Sequence, residues 1–406
     1  MDPKKTNNLA YFSVYFIAQS IYIYVNAFLP IFFQEQFSIS GIDLGLVLYS
    51  SYLFMLSKPV LAIYISKEQK IGPFSREKKI ILAGAIGALI TFSIFIFNLS
   101  LLLLFGLLLG LNFFFISLMD VFIDKFIVER SPNDSTRKQN AFYIQIGTLM
   151  GTIIPHIYFF LIQPDDLSSW NIIFFIGTIS LACTVLPLLL LKDSEPLTED
   201  ITKKSSDESK IIRPKLVLFM STFLFLTYSV NLYEWVIEPW AIIKLAEVSN
   251  NPKTIFPIVM ILFTILDAIS LLMAGKYSKK LDKTLLLFVS VVISGVMTTI
   301  APLLEIVSFF LLIGIVQISS GFFLINMIAL VMEISKGKII FFQVMMSSTI
   351  LAKVVLAPLG LFLFDIIPGE VIISIAGMIQ LVSLIPLYKI FLSQTGEICK
   401  KTENKN

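Results

Sequence analysis

Two lysines, Lys58 and Lys353, stand inside long apolar runs, and so do the acids Asp120, Asp124, Glu234 and Asp267. Charges in such runs are costly unless they pair or face water, so they are candidates for ion and solute handling. Lys58 lies about eight residues from the end of its run, too deep for its ammonium to reach the surface easily. Asp120 is at a comparable depth, and a Lys58–Asp120 ion pair is expected, with Asp124 one turn further out. Lys353 follows Ser347-Ser348-Thr349 near the middle of its run, and Glu234 and Asp267 are the two acids that could partner it. If the three share a water-filled cavity, an anionic solute competing for Lys353 would release the acid to take a proton. Solute and proton would then move together. Lys353 and Glu234 are accordingly read as substrate-binding residues, and Asp267, Lys58, Asp120 and Asp124 as coupling or gating residues.

Neutral polar residues extend the set. Tyr15, Gln19, Tyr22 and Asn26 recur at helical spacing, and so do Tyr228, Asn231, Glu234 and Glu238. Gln19, Asn26 and Asn231 therefore join the expected substrate-binding residues, the plain alternative being hydrogen bonds that join helices. Asn112, Gln145, Gln317 and Asn326 are second-rank candidates of the same kind. His156 is a titratable group within a run, for which packing is the ordinary role. Tyr22, Tyr233, Trp235 and Trp240 read as an interfacial aromatic belt. The glycines of Gly147-Thr-Leu-Met-Gly151 have the spacing that lets two helices approach closely.

The elements that carry these residues follow from composition. Of 406 residues 56% are hydrophobic and only 15% charged, against about 25% charged in soluble domains. A soluble enzyme and a disordered chain are both excluded. A net charge of +3 gives no reason to expect nucleic acid. One histidine and two distant cysteines, Cys183 and Cys399, offer neither a metal site nor a disulfide framework. There is no P-loop in the sequence for ATP-driven pumping, and no cofactor or catalysis is expected.

Spans of about 20 apolar residues fall over residues 9–33, 42–65, 79–97, 99–123, 140–162, 170–191, 216–240, 254–275, 284–302, 306–332, 340–364 and 370–392. Open strands cannot cross lipid, and these runs are too long for barrel strands, so the expected fold is an all-α membrane bundle of twelve helices. Assigning lysine and arginine to alternate sides places 27 of 31 on one side. Only Lys244 and Lys253 fall on the other, so both termini are expected in the cytoplasm and the first run reads as a retained helix. The polar stretch from Lys192 to Lys215 cannot form a core. It divides an N-terminal six-helix half (1–191) from a C-terminal half (216–406), with 192–215 a cytoplasmic linker. Basic loops recur after the second helix of each half, Ser75-Arg76-Glu77-Lys78-Lys79 and Gly275-Lys276-Tyr277-Ser278-Lys279-Lys280-Leu281-Asp282-Lys283. The halves thus read as pseudo-symmetric parallel repeats.

On these features the chain resembles the major facilitator superfamily (MFS fold), whose loop signature Gly275 to Lys283 follows in part, with Lys279 where an acid is usual. Leu56-Ser57-Lys58-Pro59 and Ser117-Leu-Met-Asp120-Val-Phe-Ile-Asp124-Lys-Phe-Ile-Val-Glu129 are similar to patterns of the muropeptide permease, folate-biopterin and acetyl-coenzyme A transporter branch, with Met119 where Gln is common. The resemblance implies a monomeric secondary transporter, a symporter of a small organic solute that works by alternating access in the plasma membrane, with the solute and a proton as partners besides the lipid bilayer. Midplane lysines favour an anionic or zwitterionic solute. A non-transporting receptor or sensor on the same fold is the alternative, and an intramembrane transferase a further one, for which a lone histidine supplies no reactive set.

Overall fold

The computed structural model describes residues 3–38, 47, 49–65, 76–97, 102–129, 131, 133–162, 164, 166–189, 214–234, 236–250, 252–278, 281–364 and 366–403. Among them every regular element is a helix, as lipid demands of a backbone that must satisfy its own hydrogen bonds. Nine described helices are long and apolar enough to cross a membrane. The first three expected spans also fall on helix, although the first is interrupted and the second is described only in part. Most of the expected linker, residues 192–213, lies outside the described residues, as do Trp235, Lys279 and Lys280.

The chain forms two compact units. One gathers Met1–Pro132, Phe142–Ile211 and Gly337–Gln343, and the other Asn133–Ala141, Ile212–Lys336 and Val344–Asn406. In the first unit, α1 (Pro3–Ile23) runs through a π-helical segment (Tyr24–Phe28) into α2 (Leu29–Phe37). The second span contains a 3-10 turn (Leu53–Ser57) and α3 (Lys58–Ile65), followed by α4 (Arg76–Ser93), α5 (Leu102–Glu129), α6 (Asp134–Ile162) and α7 (Leu167–Leu189). In the second unit come α8 (Pro214–Thr227), a 3-10 turn (Tyr228–Leu232) and α9 (Ile237–Ala246), then α10 (Pro252–Tyr277) and α11 (Lys283–Ile300). They are followed by α12 (Ile306–Ser335), α13 (Ile339–Phe364), α14 (Gly369–Val382) and α15 (Leu384–Glu403).

The packing repeats. In the first unit α4 lies against α5 and α7, and α1 against α7. In the second, α11 lies against α12 and α14, and the seventh span against the twelfth. Each third span thus meets the fourth and sixth of its half, and each first span meets the sixth, so the same packing recurs within each unit. Tilted and edge-to-face ring contacts fill the first core, where Phe33 meets Phe105 with centroids 4.5 Å apart and Tyr24 meets Phe92 at 4.9 Å. In the second core Trp240 packs on Phe309 with ring centroids 4.7 Å apart. Trp240 is 4% exposed, so it is a core residue and not the belt residue expected from its place near a span end. Leu and Ile side chains on the outer faces of α7, α10 and α12 remain exposed, as a lipid-facing surface requires.

The first span of each half carries a defect. Pro30 has no N–H to give the carbonyl of Asn26, and just before it Leu29 donates to Tyr24, five residues back. In the seventh span, expected to run unbroken over 216–240, α8 tightens into a 3-10 turn and stops at Tyr233. A new helix begins at Ile237. Pro239 explains the restart, since its missing N–H is tolerated only in a first helical turn. Glu234 sits in the break, its N–H bonded to Asn231 O at 3.3 Å.

Candidate functional site

In the second unit Lys353 Nζ donates to Glu234 Oε1 at 2.6 Å. Of the two acids considered for Lys353, the structure pairs it with Glu234. Lys353 lies mid-way along α13, and one approach explains how α13 reaches the break: Gly360 lies so close to the turn that a β-carbon there would stand 1.7 Å from Leu232 O. No side chain fits that gap. Gly360→Ala should push α13 off the break and lower stability by about 1–3 kcal/mol or more, read as a fall in Tm. An unchanged Tm would show that α13 is not seated there.

The pair is unevenly exposed. The Glu234 side chain is 34% accessible and that of Lys353 12%, while Glu234 Oε2 is buried. Asp267, on α10, instead accepts from Ser320 Oγ on α12. With its amide turned so that nitrogen faces the carboxylate, Gln317 donates to Asp267 Oδ1 at 2.9 Å. Asp267 thus joins α10 to α12. Asn231 donates to Tyr228 O at 2.7 Å, within its own turn.

In the first unit Lys58 Nζ bonds Asp120 Oδ2, the expected ion pair, with side chains 11% and 9% accessible. The two ammonium ends are alike in exposure, and the pairs differ at the carboxylate, 9% for Asp120 against 34% for Glu234. Asp124, one turn along α5, accepts from Tyr15 Oη and, at 2.6 Å, from Gln343 Nε2. Gln343 was not singled out in the sequence; its signal was an amide three residues into the eleventh apolar run. Gln19 Nε2 donates to Thr152 Oγ1 at 3.1 Å, and the Asn26 side chain lies outside the described residues. Gly147 and Gly151 supply the close approach expected of them, facing Phe12 O and Phe16 O at 2.5 and 2.7 Å from their would-be β-carbons. His156 is exposed on α6 and its Nδ1 lies 2.7 Å from Thr152 O. Asn112 ties α5 to α4 through Ala88 O (2.9 Å) and Thr91 Oγ1 (2.8 Å).

A third charged cluster was read in the sequence only as topological charge. Asp134 accepts from Lys138 and Lys283, each at 3.0 Å, and Glu333 meets Lys283 and, at 3.6 Å, Arg137. Lys138, 2% exposed, also donates to Ser278 O and, at 3.0 Å, to Leu281 O. It therefore satisfies carbonyls just beyond the end of α10, where a helix has acceptors to spare.

No family model and no curated protein matches the sequence. A solved structure does: a major facilitator superfamily transporter, FucP, in the outward conformation, with a TM-score of 0.65 and 13% identity over 92% of this chain and 97% of that one. The likeness shows the fold. The chain is a multi-pass membrane protein with the major facilitator architecture.

Proposed function

We propose that the protein is a secondary transporter of a small organic anion or zwitterion, with Lys353 as the anchor for the anionic group and Glu234 as the proton-carrying acid. The observation that carries this reading is an ion pair with a partly exposed carboxylate at a helix break in the second unit. Discontinuous helices at corresponding places in two repeats are where transporters of this build hold solute and coupling ion, and the defects before Pro30 and Pro239 occupy such places. An anion that takes Lys353 deprives Glu234 of that ammonium, and protonation of the carboxylate offsets the loss. One negative solute and one proton therefore replace one internal ion pair. Solute uptake would be driven by an inward proton gradient, by alternating access between two states of the bundle. The test is uptake by the reconstituted protein of organic anions, peptides and nucleoside-like cofactors, with and without that gradient.

Both termini are placed in the cytoplasm of a plasma-membrane protein on the bias of lysine and arginine. Cys399 follows the last span, outside the described side chains, and Cys183 is exposed on the lipid-facing side of α7. An impermeant maleimide added to intact cells should label neither. Labelling of Cys399 from outside would reverse the orientation.

A further inference from the structure

In the second unit Lys138, Lys244, Lys283 and Lys353 each pair with a carboxylate. Among the described residues Lys389 pairs with none. Its ammonium instead lies over the Phe219 ring of α8, 5.3 Å from the centroid. Lys389 stands inside the expected span 370–392, about one turn before its end. On α15 it shares one face with Ile385 and Leu392, four residues before it and three after it. All three are exposed, as side chains against lipid are. A charge on such a face is costly unless it reaches the interface and meets an opposite charge there.

A second lysine belongs to the same place. Lys215 and Phe219 are four residues apart on α8 and so are neighbours on its surface, and α8 packs along α15. Lys215 is exposed, and it too has no carboxylate partner among the described residues. Two lysines thus flank one aromatic ring where α8 and α15 meet, with the exposed apolar side chains of Leu218, Ile385 and Leu392 beside them. The ring face favours an ammonium, but it leaves two like charges that an anion between them would offset. Lysine meets phosphate as a point charge, and basic pockets between spans hold anionic headgroups. The apolar side chains match acyl chains, which a free anion lacks.

We infer that the end of the α8–α15 groove binds one anionic phospholipid, with its headgroup phosphate at Lys389 and Lys215 and its acyl chains along the exposed face of α15. The lysine bias assigns this end to the cytoplasmic leaflet. The site ties the start of the seventh span to the end of the twelfth, and it does not depend on which solute is carried.

The test uses full-length protein without any solute, in nanodiscs of phosphatidylcholine alone and of phosphatidylcholine mixed with phosphatidylglycerol. The wild type should have a Tm higher by a few degrees in the mixed discs, a gain that shrinks as salt is raised. Sodium phosphate added to phosphatidylcholine discs should not reproduce it. Lys389→Gln should lose most of the gain, Lys215→Gln part of it, and Lys389→Arg little. Lys338→Gln, which removes an exposed lysine at the start of α13, should leave it unchanged. Native mass spectrometry of the same samples counts the phosphatidylglycerol retained, so a variant of lower stability is still read. A wild type indifferent to phosphatidylglycerol, a gain reproduced by free phosphate, a gain undiminished in Lys389→Gln, or one lost equally in Lys338→Gln overturns the inference. Because no solute is added, that failure is distinct from a failure of the transport reading.

Discussion

Lys353→Ala should lose solute binding and uptake, whereas Glu234→Gln should keep solute exchange across the membrane and lose accumulation driven by a proton gradient. The two halves of the pair are asymmetric because they meet different partners. Removing the ammonium takes away the group that would bind the anion and leaves a carboxylate with no cation 2.6 Å away. Truncating one member of a buried, hydrogen-bonded charge pair costs about 2–5 kcal/mol, roughly a thirtyfold to several-thousandfold loss of affinity. Glutamine at 234 still accepts a hydrogen bond from Lys353 but carries no proton, so the solute can bind and exchange without coupling. Asp267→Asn is the comparison. Its carboxylate is engaged by Ser320 and Gln317, so accumulation should persist. Uncoupling by Asp267→Asn with Glu234→Gln still coupled would move the proton to α10.

Lys58→Met should be the most destabilising single change among the buried charges, and Asp120→Asn distinctly milder. Removing one partner of a closed ion pair leaves a charge without compensation, at about 3–5 kcal/mol. The closed side chains of Lys58 and Asp120 place them in that regime. For Lys58→Met the loss is doubled in kind, because Asp120 and Asp124 then share no cation at all. For Asp120→Asn the neighbouring Asp124, one turn along and already facing Lys58, can take the ammonium. Combining the two changes should recover part of the loss of Lys58→Met. Tm and expression of the three variants measure this, and a double variant no more stable than Lys58→Met would mean that Lys58 and Asp120 do not act as a pair.

The bundle was legible in the sequence because a span long enough to cross lipid admits little besides helix, and because lysine and arginine alternate with it. The Lys58–Asp120 pair was legible for a related reason: two opposite charges at one depth have few other ways to be satisfied. What the sequence left open was which acid meets Lys353, since Glu234 and Asp267 lie at similar depth and depth says nothing of rotation. Gly360 decides it, by letting α13 close on Leu232 O, a contact between residues far apart in the chain. The break at Glu234 had a signal in Pro239 that hydropathy alone does not register. Trp240 was misread because nearness to a span end was taken for nearness to the lipid interface, whereas Phe309 and Gly369 enclose it. Gln343 gave only a faint signal, an amide near a span end, with its bond to Asp124 invisible at a separation of 219 residues.

The most direct test of the central claim is uptake of labelled organic anions and zwitterions by proteoliposomes under an inward proton gradient, wild type beside Lys353→Ala. The expected result is accumulation of at least one such solute by the wild type, reduced when the gradient is collapsed and absent in Lys353→Ala. Accumulation that is the same in Lys353→Ala, or selective for cations and neutral solutes, would contradict it.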